Sequence, residues 1–349
     1  MFGITRSPCP LRHCFHAFSH PFGRAQGDAV DPLSNPPPST PLEPNRMNTM
    51  TDPHHPTLSL GVVIVNYNTE DLTLQCVKSL LEHGIAAPSQ ICVVDNLSPD
   101  GSGVRLQSSL PAGVGLVLSP RNGGFGAGVN IGVAALSTEL VLVLNPDTYF
   151  LCNRVPVIQR LFAETPNLGI AGLKLINPDG SLQYSARRFY SLLDILARRT
   201  PLGSLGPMRK LVSSHLLKRN WQGGPFKADW VIGTGFVVRR TAFDEVGRMD
   251  EGYFLYFEEV DLCARMWVKG WQVVAVPEVE LVHEHQRHSE AGIWSSSGQT
   301  HLRSMVRFFT KFGVPWVRRP HRSKMKSAYL RWRRQVIEHG VEAHSDAQV

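Results

Sequence analysis

The chain has 349 residues, 42% of them hydrophobic, enough for one large or two small domains with a sizeable core. A formal net charge of +7 suits an anionic substrate, an anionic membrane surface or nucleic acid. No apolar run reaches the roughly 18 residues of a membrane-spanning helix, and no cysteines form a Cys-x-x-Cys pair, so an integral membrane protein is not expected and Cys9, Cys14, Cys76, Cys92, Cys152 and Cys263 read as buried thiols of a reducing compartment.

Residues 1–56 are rich in proline, with Pro36-Pro37-Pro38 at their centre and no apolar periodicity, and are expected to be disordered. They hold no apolar segment suited to a secretory signal, and Met47 and Met50 offer alternative starts. Order is expected from Leu58. Leu60 to Val65 is a continuous apolar run, the mark of a strand covered on both faces, and ends at Asn66-Tyr67-Asn68-Thr69. Thr69 is placed to cap a helix whose first turn holds Glu70 and Asp71, with an apolar stripe through Leu72, Cys76, Val77, Leu80 and Leu81. A second strand, Gln90 to Val94, ends at Asp95-Asn96. A third, Val114 to Leu118, leads into Arg121-Asn122-Gly123-Gly124-Phe125-Gly126. A fourth, Leu140 to Leu144, ends at Asn145-Pro146-Asp147. Strands alternating with helical patterns predict an α/β fold with a largely parallel sheet, whose polar motifs lie at the carboxyl ends of the strands where such sheets bind ligands.

A helix near Pro156 to Glu164 and a strand near Leu168 to Leu175 follow. Tyr190 to Lys227 is basic and broken by Pro and Gly, and is expected to form a mobile excursion over the active face. In Asp250 to Arg265 an aromatic run ends in Glu258, Glu259 and Asp261, and Leu262, Cys263, Met266 and Trp267 continue at helical spacing to a stop at Gly270. Asp261 and Arg265, four apart, are expected to pair, whereas Glu259 and Asp261 do not share a face. Aromatic walls can raise a carboxylate pKa toward that of a general base, although acidic residues also favour the first turn of any helix. Strands Trp271 to Val276 and Val279 to His283 come next. A helix from about His301 to Phe312 carries Leu302, Met305, Val306, Phe309 and Phe312, and Val314 to Arg334 holds eight Lys/Arg and no acid.

Asp147 at a strand end can hold a divalent cation that also binds phosphates, but Asn-Pro-Asp is equally good turn chemistry. The glycine run is neither a dinucleotide fingerprint, since position 129 is Val, nor a P-loop. It permits close backbone approach to a phosphate or sugar, or is a helix lead-in. His283-Glu284-His285-Gln286-Arg287-His288 has Arg287 where a zincin helix needs its second His, leaving one histidine as a candidate ligand in an otherwise solvated loop.

In series, Val63-Ile64-Val65-Asn66-Tyr67-Asn68, Val93-Val94-Asp95-Asn96, Arg121 to Gly126, Asn145-Pro146-Asp147, Gly233-Thr234-Gly235-Phe236 and Phe257 to Cys263 resemble the inverting, nucleotide-sugar-dependent glycosyltransferases of family 2, with the GT-A fold, and their bacterial rhamnosyltransferase-like members in particular. The resemblance runs from about Leu58 to Phe312. It implies a catalytic domain over 57–290 and a basic helical extension over 291–349. It places Asn66, Asn68, Asp95, Asn122, Gly123, Gly124 and Asn145 at the nucleotide-sugar, with Asp95 on the base or ribose. Asp147 and His283 are implied as ligands of Mg²⁺ or Mn²⁺, with Asn145 standing where the family's first Asp is expected. Glu259 matches the base, which is more usually Asp, and Asp261 is the competing candidate. The implied reaction moves a sugar, rhamnose from dTDP-rhamnose favoured, to a saccharide acceptor that is lipid-linked, in cell-surface polysaccharide synthesis in the cytoplasm; the apolar stripe of His301 to Phe312 and the cations after it fit either peripheral contact with the inner face of the cytoplasmic membrane or packing of the stripe on the catalytic domain. A nucleotidyltransferase would carry a Gly-rich, basic loop after the first strand, and that loop is here Asn66-Tyr67-Asn68-Thr69. A non-catalytic sugar-nucleotide binding module is the other alternative. No nucleic-acid recognition motif is present.

Overall fold

In a computed structural model, residues 58–199, 206–284, 295–313, 315 and 321–338 are described. All belong to one compact unit, Pro56–Val349, while the Pro-rich segment lies outside the described residues. The apolar runs become central strands. Val62, Val63, Ile64, Val93, Val94 and all of Leu140–Leu144 are fully buried. In chain order the elements are β1 (Leu60–Asn66), α1 (Glu70–Glu82), β2 (Ile91–Asp95), α2 (Ser102–Ser109), β3 (Gly115–Leu118), α3 (Gly124–Ala134), β4 (Leu140–Leu144), β5 (Thr148–Tyr149), α4 (Val155–Glu164), β6 (Leu168–Ile176), β7 (Leu182–Gln183), β8 (Ala186–Arg187), α5 (Leu192–Arg199), α6 (Gly206–His215), β9 (Phe226–Lys227), β10 (Trp230–Val231), β11 (Gly235–Arg239), α7 (Arg240–Glu245), α8 (Glu258–Lys269), β12 (Gln272–His283), α9 (Ser296–Phe312) and α10 (Arg322–Glu338).

The main sheet runs β3-β2-β1-β4-β11-β6-β12-β5, with β7 beside β6 and β9 beside β12. The pairings β3-β2, β2-β1, β1-β4 and β6-β12 are parallel, and β11 runs antiparallel between β4 and β6. Because side chains alternate along a strand, β1 feeds two cores. Val63 and Val65 meet Val129 and Val133 of α3 and, further on, α8 and α9. Val62 and Ile64 meet Cys76, Val77 and Leu80 of α1 and Phe162 of α4.

The glycine run is explained by packing. A Cβ at Gly128 would press on Val65 and one at Gly132 on Val63, so small residues let α3 lie close on β1. Gly124 has φ +83°, and the Phe254 carbonyl occupies the place a Cβ would take. That carbonyl accepts from Phe125 N at 3.2 Å.

Several elements depart from expectation. The two strands around Pro277 are one, β12, which absorbs the proline in a register shift between Val276 and Glu280. The basic stretch 190–227 is not a bare excursion. It builds α5, α6 and a 3₁₀ turn at Lys218–Gln222, anchored by buried Leu217 and Trp221, while residues 200–205 lie outside the described part. Thr69 does not cap α1; its hydroxyl donates to Asn66 Oδ1 at 3.0 Å. Helix α9 starts five residues early, where Ser295 Oγ accepts from Gly298 N at 3.1 Å. Its Phe308, Phe309 and Phe312 are buried in the hydrophobic core that also holds α3 and α8, so most of the apolar stripe is used inside the molecule. Cys76, Cys92 and Cys263 are buried free thiols, and burial pushes Cys76 and Cys263 up to about 12.

Candidate active site

The ends of β1 and β2 are tied together by a saturated polar knot. Asn66 is fully buried. Its Nδ2 donates to Asp95 Oδ1 at 2.7 Å, and its Oδ1 accepts from Thr69 and from Thr73 at 3.0 and 2.9 Å. Asp95 also accepts from Ser98 Oγ at 2.6 Å and Ser98 N at 3.0 Å. Both side chains are turned inward in this structure, where they fix the loops after β1 and β2. Asn68 is exposed at φ +55°, its N–H donating to Ser98 Oγ at 3.0 Å. Asn96, which was not among the expected site residues, donates from Nδ2 to Asn122 Oδ1 and to the Gly124 carbonyl, both at 3.0 Å, and its Oδ1 is buried without a partner. Asn122 Oδ1 also accepts from Gly124 N at 3.1 Å. The first N–H groups of α3 are thus used within the protein, and Gly123 and Gly124 serve this turn and the contact with Phe254.

At the end of β4, Asn145 N donates to the Thr234 carbonyl at 3.0 Å and Thr148 Oγ1 donates to the Asn145 carbonyl at 2.7 Å, which sets the turn carrying Asp147. Strand β5 then pairs Thr148 with His283 at the end of β12, bringing residues 135 apart in sequence together. His283 Nε2 lies 3.3 Å from Asp147 Oδ2. Gln183 Nε2 is committed to Asn177 Oδ1 at 2.5 Å and to the His283 carbonyl at 3.0 Å, so its Oε1, 2.7 Å from His283 Nδ1, accepts that nitrogen's proton. Nε2 and Asp147 Oδ2 are then two acceptors face to face, which a shared cation or a second imidazole proton resolves. Asp147 Oδ1 is buried with no partner. A lone carboxylate, an imidazole and an unsatisfied oxygen fit a divalent cation that takes its other ligands from phosphate and water. Among the described residues no cluster of three or more His, Cys, Asp or Glu is present, and His285 and His288 lie outside them.

The acidic stretch is aimed by a strained turn. Tyr256 and Phe257 both have φ +68°, a conformation that costs a side-chain-bearing residue about 1–3 kcal/mol and persists only under strong packing. Phe257 is held by Tyr190, His301 and Phe308 at ring distances of 5.6, 5.3 and 5.6 Å, and Tyr256 Oη is 2.8 Å from Ser297 Oγ. The turn delivers Glu258 and Glu259 as the first residues of α8. Glu258 is buried with Oε2 unpartnered, and burial, reinforced by the charge of Glu259, pushes its pKa well above the ordinary range. Glu259 is partly buried beside Gly233, which precedes β11 and so lies at the same end of the sheet as Asp147. Burial raises its pKa, while Arg187 and the N–H groups of Glu259, Val260 and Gly233 pull the other way.

Asp261 differs from Glu259 in every respect that bears on proton transfer. It is fully buried, and its carboxylate takes Arg265 Nε at 2.6 Å, Lys311 Nζ at 2.5 Å and Tyr253 Oη at 3.2 Å. The i,i+4 pair with Arg265 is as expected; Lys311, 50 residues away, is not readable from local spacing. Arg187, also missed, lies over the Trp230 ring at 5.2 Å and brings a positive charge to Glu259. Its signal was the Arg187-Arg188 pair in a stretch otherwise free of acids except Asp194.

Residues 61–247, just over half of the chain, match the family described as Glycosyl transferase family 2. Over 252 residues the chain is 29% identical to an N-acetylglucosaminyl-diphospho-decaprenol L-rhamnosyltransferase of Mycobacterium tuberculosis, covering 69% of this chain and 81% of the relative. It is 24% identical over 265 residues to rhamnosyltransferase WbbL of Escherichia coli K12, covering 72% and 92%. Among solved structures, that of GalNAc-T7 with UDP, GalNAc and Mn²⁺ aligns with a TM-score of 0.52 at 18% identity, over 84% of this chain and 59% of that one. With a largely parallel sheet and an Asp at the end of β4, the chain belongs to glycosyl transferase family 2, as a rhamnosyltransferase-like member built on the GT-A fold.

Proposed function

We propose that the protein is an inverting glycosyltransferase that moves rhamnose from dTDP-rhamnose to a saccharide carried on a lipid diphosphate, with Glu259 as its base. The observation that carries this reading is the placement of a raised-pKa carboxylate, Glu259, beside Gly233, at the sheet end that also holds Asp147 and His283. Names of the relatives support the sugar and the acceptor: one is a dTDP-rhamnosyl transferase of Shigella flexneri, 26% identical over 232 residues, and another acts on N-acetylglucosaminyl-diphospho-decaprenol.

Glu259 takes the proton of an acceptor hydroxyl as that oxygen attacks the anomeric carbon, and the carbon–oxygen bond to the diphosphate breaks with its electron pair leaving on the phosphate. One protein base suffices because the diphosphate is a good leaving group, whereas glycoside hydrolysis by two carboxylates needs an acid as well. Asp147 and His283 would hold Mg²⁺ or Mn²⁺, which supplies charge neutralisation to the diphosphate. Gln183 sets the His283 tautomer, and Arg187 balances the charge that Glu259 must carry. Asp261 is a positioning residue that holds α8 to α9. The Asn96 Oδ1 acceptor, buried and unpaired, suits a donor N–H or O–H of the nucleotide. Peripheral contact with the cytoplasmic membrane face, through exposed Leu302 and Val306 of α9 and the cations of α10, would bring the site to such an acceptor.

The test is release of nucleoside diphosphate across dTDP-rhamnose, UDP-sugars and GDP-sugars, with an N-acetylglucosaminyl-diphospho-lipid as acceptor. Transfer from dTDP-rhamnose, lost in excess chelator and in Asp147→Ala, is expected. Full activity in chelator would remove the metal from this account, and preference for another donor would remove rhamnose.

A further inference from the structure

We infer that the basic pocket between β8, α6 and the 3₁₀ turn is a binding site for the diphosphate of the acceptor, distinct from the place of the donor diphosphate at Asp147 and His283. The inference rests on the glycosyltransferase reading above and adds to it the group by which the acceptor is held.

The pocket has a volume of about 650 Å³ and is lined by Arg188, Arg209, Lys210, Lys218 and Arg219, with Ser213 and Asn220 among its polar groups. That is the size of a small-molecule site, and none of the described residues lining it is acidic. Few acids lie near it in the chain, Asp229, which accepts from Phe189 N at 2.8 Å, among them. Ser185 to Lys227 contains nine Lys/Arg and one acid, Asp194, which is buried and accepts from Ser191 N and Oγ at 3.0 and 2.7 Å. Like charges gathered around a concavity repel one another, and a multiply charged anion relieves that repulsion. Arginine forks and lysine ammonium groups are the side chains that bind phosphate oxygens.

The pocket is built rather than frayed. Leu217, at its wall, is buried with φ +50°, and Trp221 packs edge-on against Phe226 at 5.1 Å. Lys218 Nζ rests 5.1 Å from the Tyr184 ring centroid. Arg188 N donates to the His215 carbonyl at 3.0 Å, tying β8 to the end of α6.

Its position relative to the base identifies the occupant. Arg187 is the last residue of β8 and Arg188 is the residue directly after it. Arg188 lines the pocket while Arg187 acts on Glu259. Tyr190 bridges the same gap, its ring 5.0 Å from His215 on α6 and 5.6 Å from Phe257 of the catalytic turn. A diphosphate in the pocket would therefore present the sugar it carries toward Glu259, which is the acceptor's task.

The test pairs two double variants, Arg209→Gln/Lys210→Gln and Lys218→Gln/Arg219→Gln, with two acceptors: an N-acetylglucosaminyl-diphospho-prenol and an alkyl N-acetylglucosaminide without phosphate. All four side chains are exposed and line the pocket, and none is in the core, so folding, checked by circular dichroism, should be retained. The expected result is at least a tenfold rise in KM for the diphosphate acceptor, with KM for the neutral acceptor and for the donor unchanged. Equal rises for both acceptors, or a rise confined to the donor, would overturn the assignment. Calorimetric titration with inorganic pyrophosphate in the presence of chelator gives a readout independent of turnover: binding to the wild type that weakens in both variants supports the pocket, and unchanged or absent binding contradicts it. A wild type that transfers no sugar would count against the function, not against this site. Loss of binding to phosphatidylglycerol vesicles with unchanged KM values would make the surface a membrane contact and overturn the proposal.

Discussion

Glu258, Glu259 and Asp261 are three carboxylates within four residues, and their surroundings separate them. Asp261 is fully buried among Arg265, Lys311 and Tyr253, so it is unsuited to meeting a substrate. Glu258 is buried and unpartnered on one oxygen, which favours its neutral form. Glu259 is the one that combines partial exposure with a raised pKa. Glu259→Gln should lower kcat by on the order of 10²–10⁴-fold, with Glu259→Asp retaining activity. A near-normal kcat in Glu259→Gln together with an inactive, folded Asp261→Asn would move the base to Asp261. The pH dependence has a defined sign. A base works ionised, so kcat/KM should fall as pH drops through the Glu259 pKa, and because burial raises that pKa the inflection should lie above the ordinary value of 4.5. An inflection below it in the pH–rate profile would show that Arg187 and the backbone donors outweigh burial. The acidic cluster and the Asp261–Arg265 pair were legible in the residues; the left-handed Tyr256–Phe257 turn was not, since nothing in two aromatic residues signals positive φ.

The element that secures the Tyr256–Phe257 turn comes from outside the sequence motifs. Helix α9 sends Lys311 into the interior, where it is 2% exposed and bridges Asp261 at 2.5 Å and Asp250 at 2.8 Å. Arg307 adds a forked pair of bonds to Asp250, both at 3.0 Å. Burial alone would push the Asp250 carboxyl up, but Lys311 and Arg307 outweigh it and hold the group well below the usual carboxylate range. This contribution to stability is present above the unfolded value of about 3.8 and is lost as pH falls below it. Lys311→Met should cost about 3 kcal/mol, because removing one partner strands a buried charge, and should flatten the loss of stability in acid. Thermal and urea unfolding across pH check both, and an unchanged melting temperature would show that Arg265 and Arg307 suffice. The helix was legible from its apolar stripe, but the inward turn of Lys311 was not, because Lys311 finds its carboxylates only after the chain has folded back. The glycine run was legible as a helix lead-in, since α3 starts at Gly124, but its close neighbours Val63, Val65 and Phe254 are remote in sequence.

For the molecule as a whole, the alternation of strands and helices and the polar strand ends carried the fold class, since continuous apolar runs leave few options but a sheet covered on both faces. What composition did not show was how residues 190–227 and the basic C-terminal part attach. Helix α10 docks through buried Met325 and through Tyr329, which stacks on Phe312 at 5.4 Å, leaving Arg322, Lys324, Lys326, Arg331, Arg333 and Arg334 facing outward. Among the described residues no helix is long and apolar enough to cross a membrane, so the proposed membrane contact would be electrostatic with a small apolar wedge at Leu302 and Val306. Sedimentation with vesicles should show preference for anionic lipid, weakening with salt and with Leu302→Ser/Val306→Ser, at about 1 kcal/mol per cation near the surface. Binding indifferent to charge, salt and both substitutions would leave α10 without that role. The central claim, a single displacement driven by one base, is tested most directly by the anomeric configuration of the transferred sugar, read by nuclear magnetic resonance of the product. Inversion relative to the donor is predicted, and retention would contradict the account.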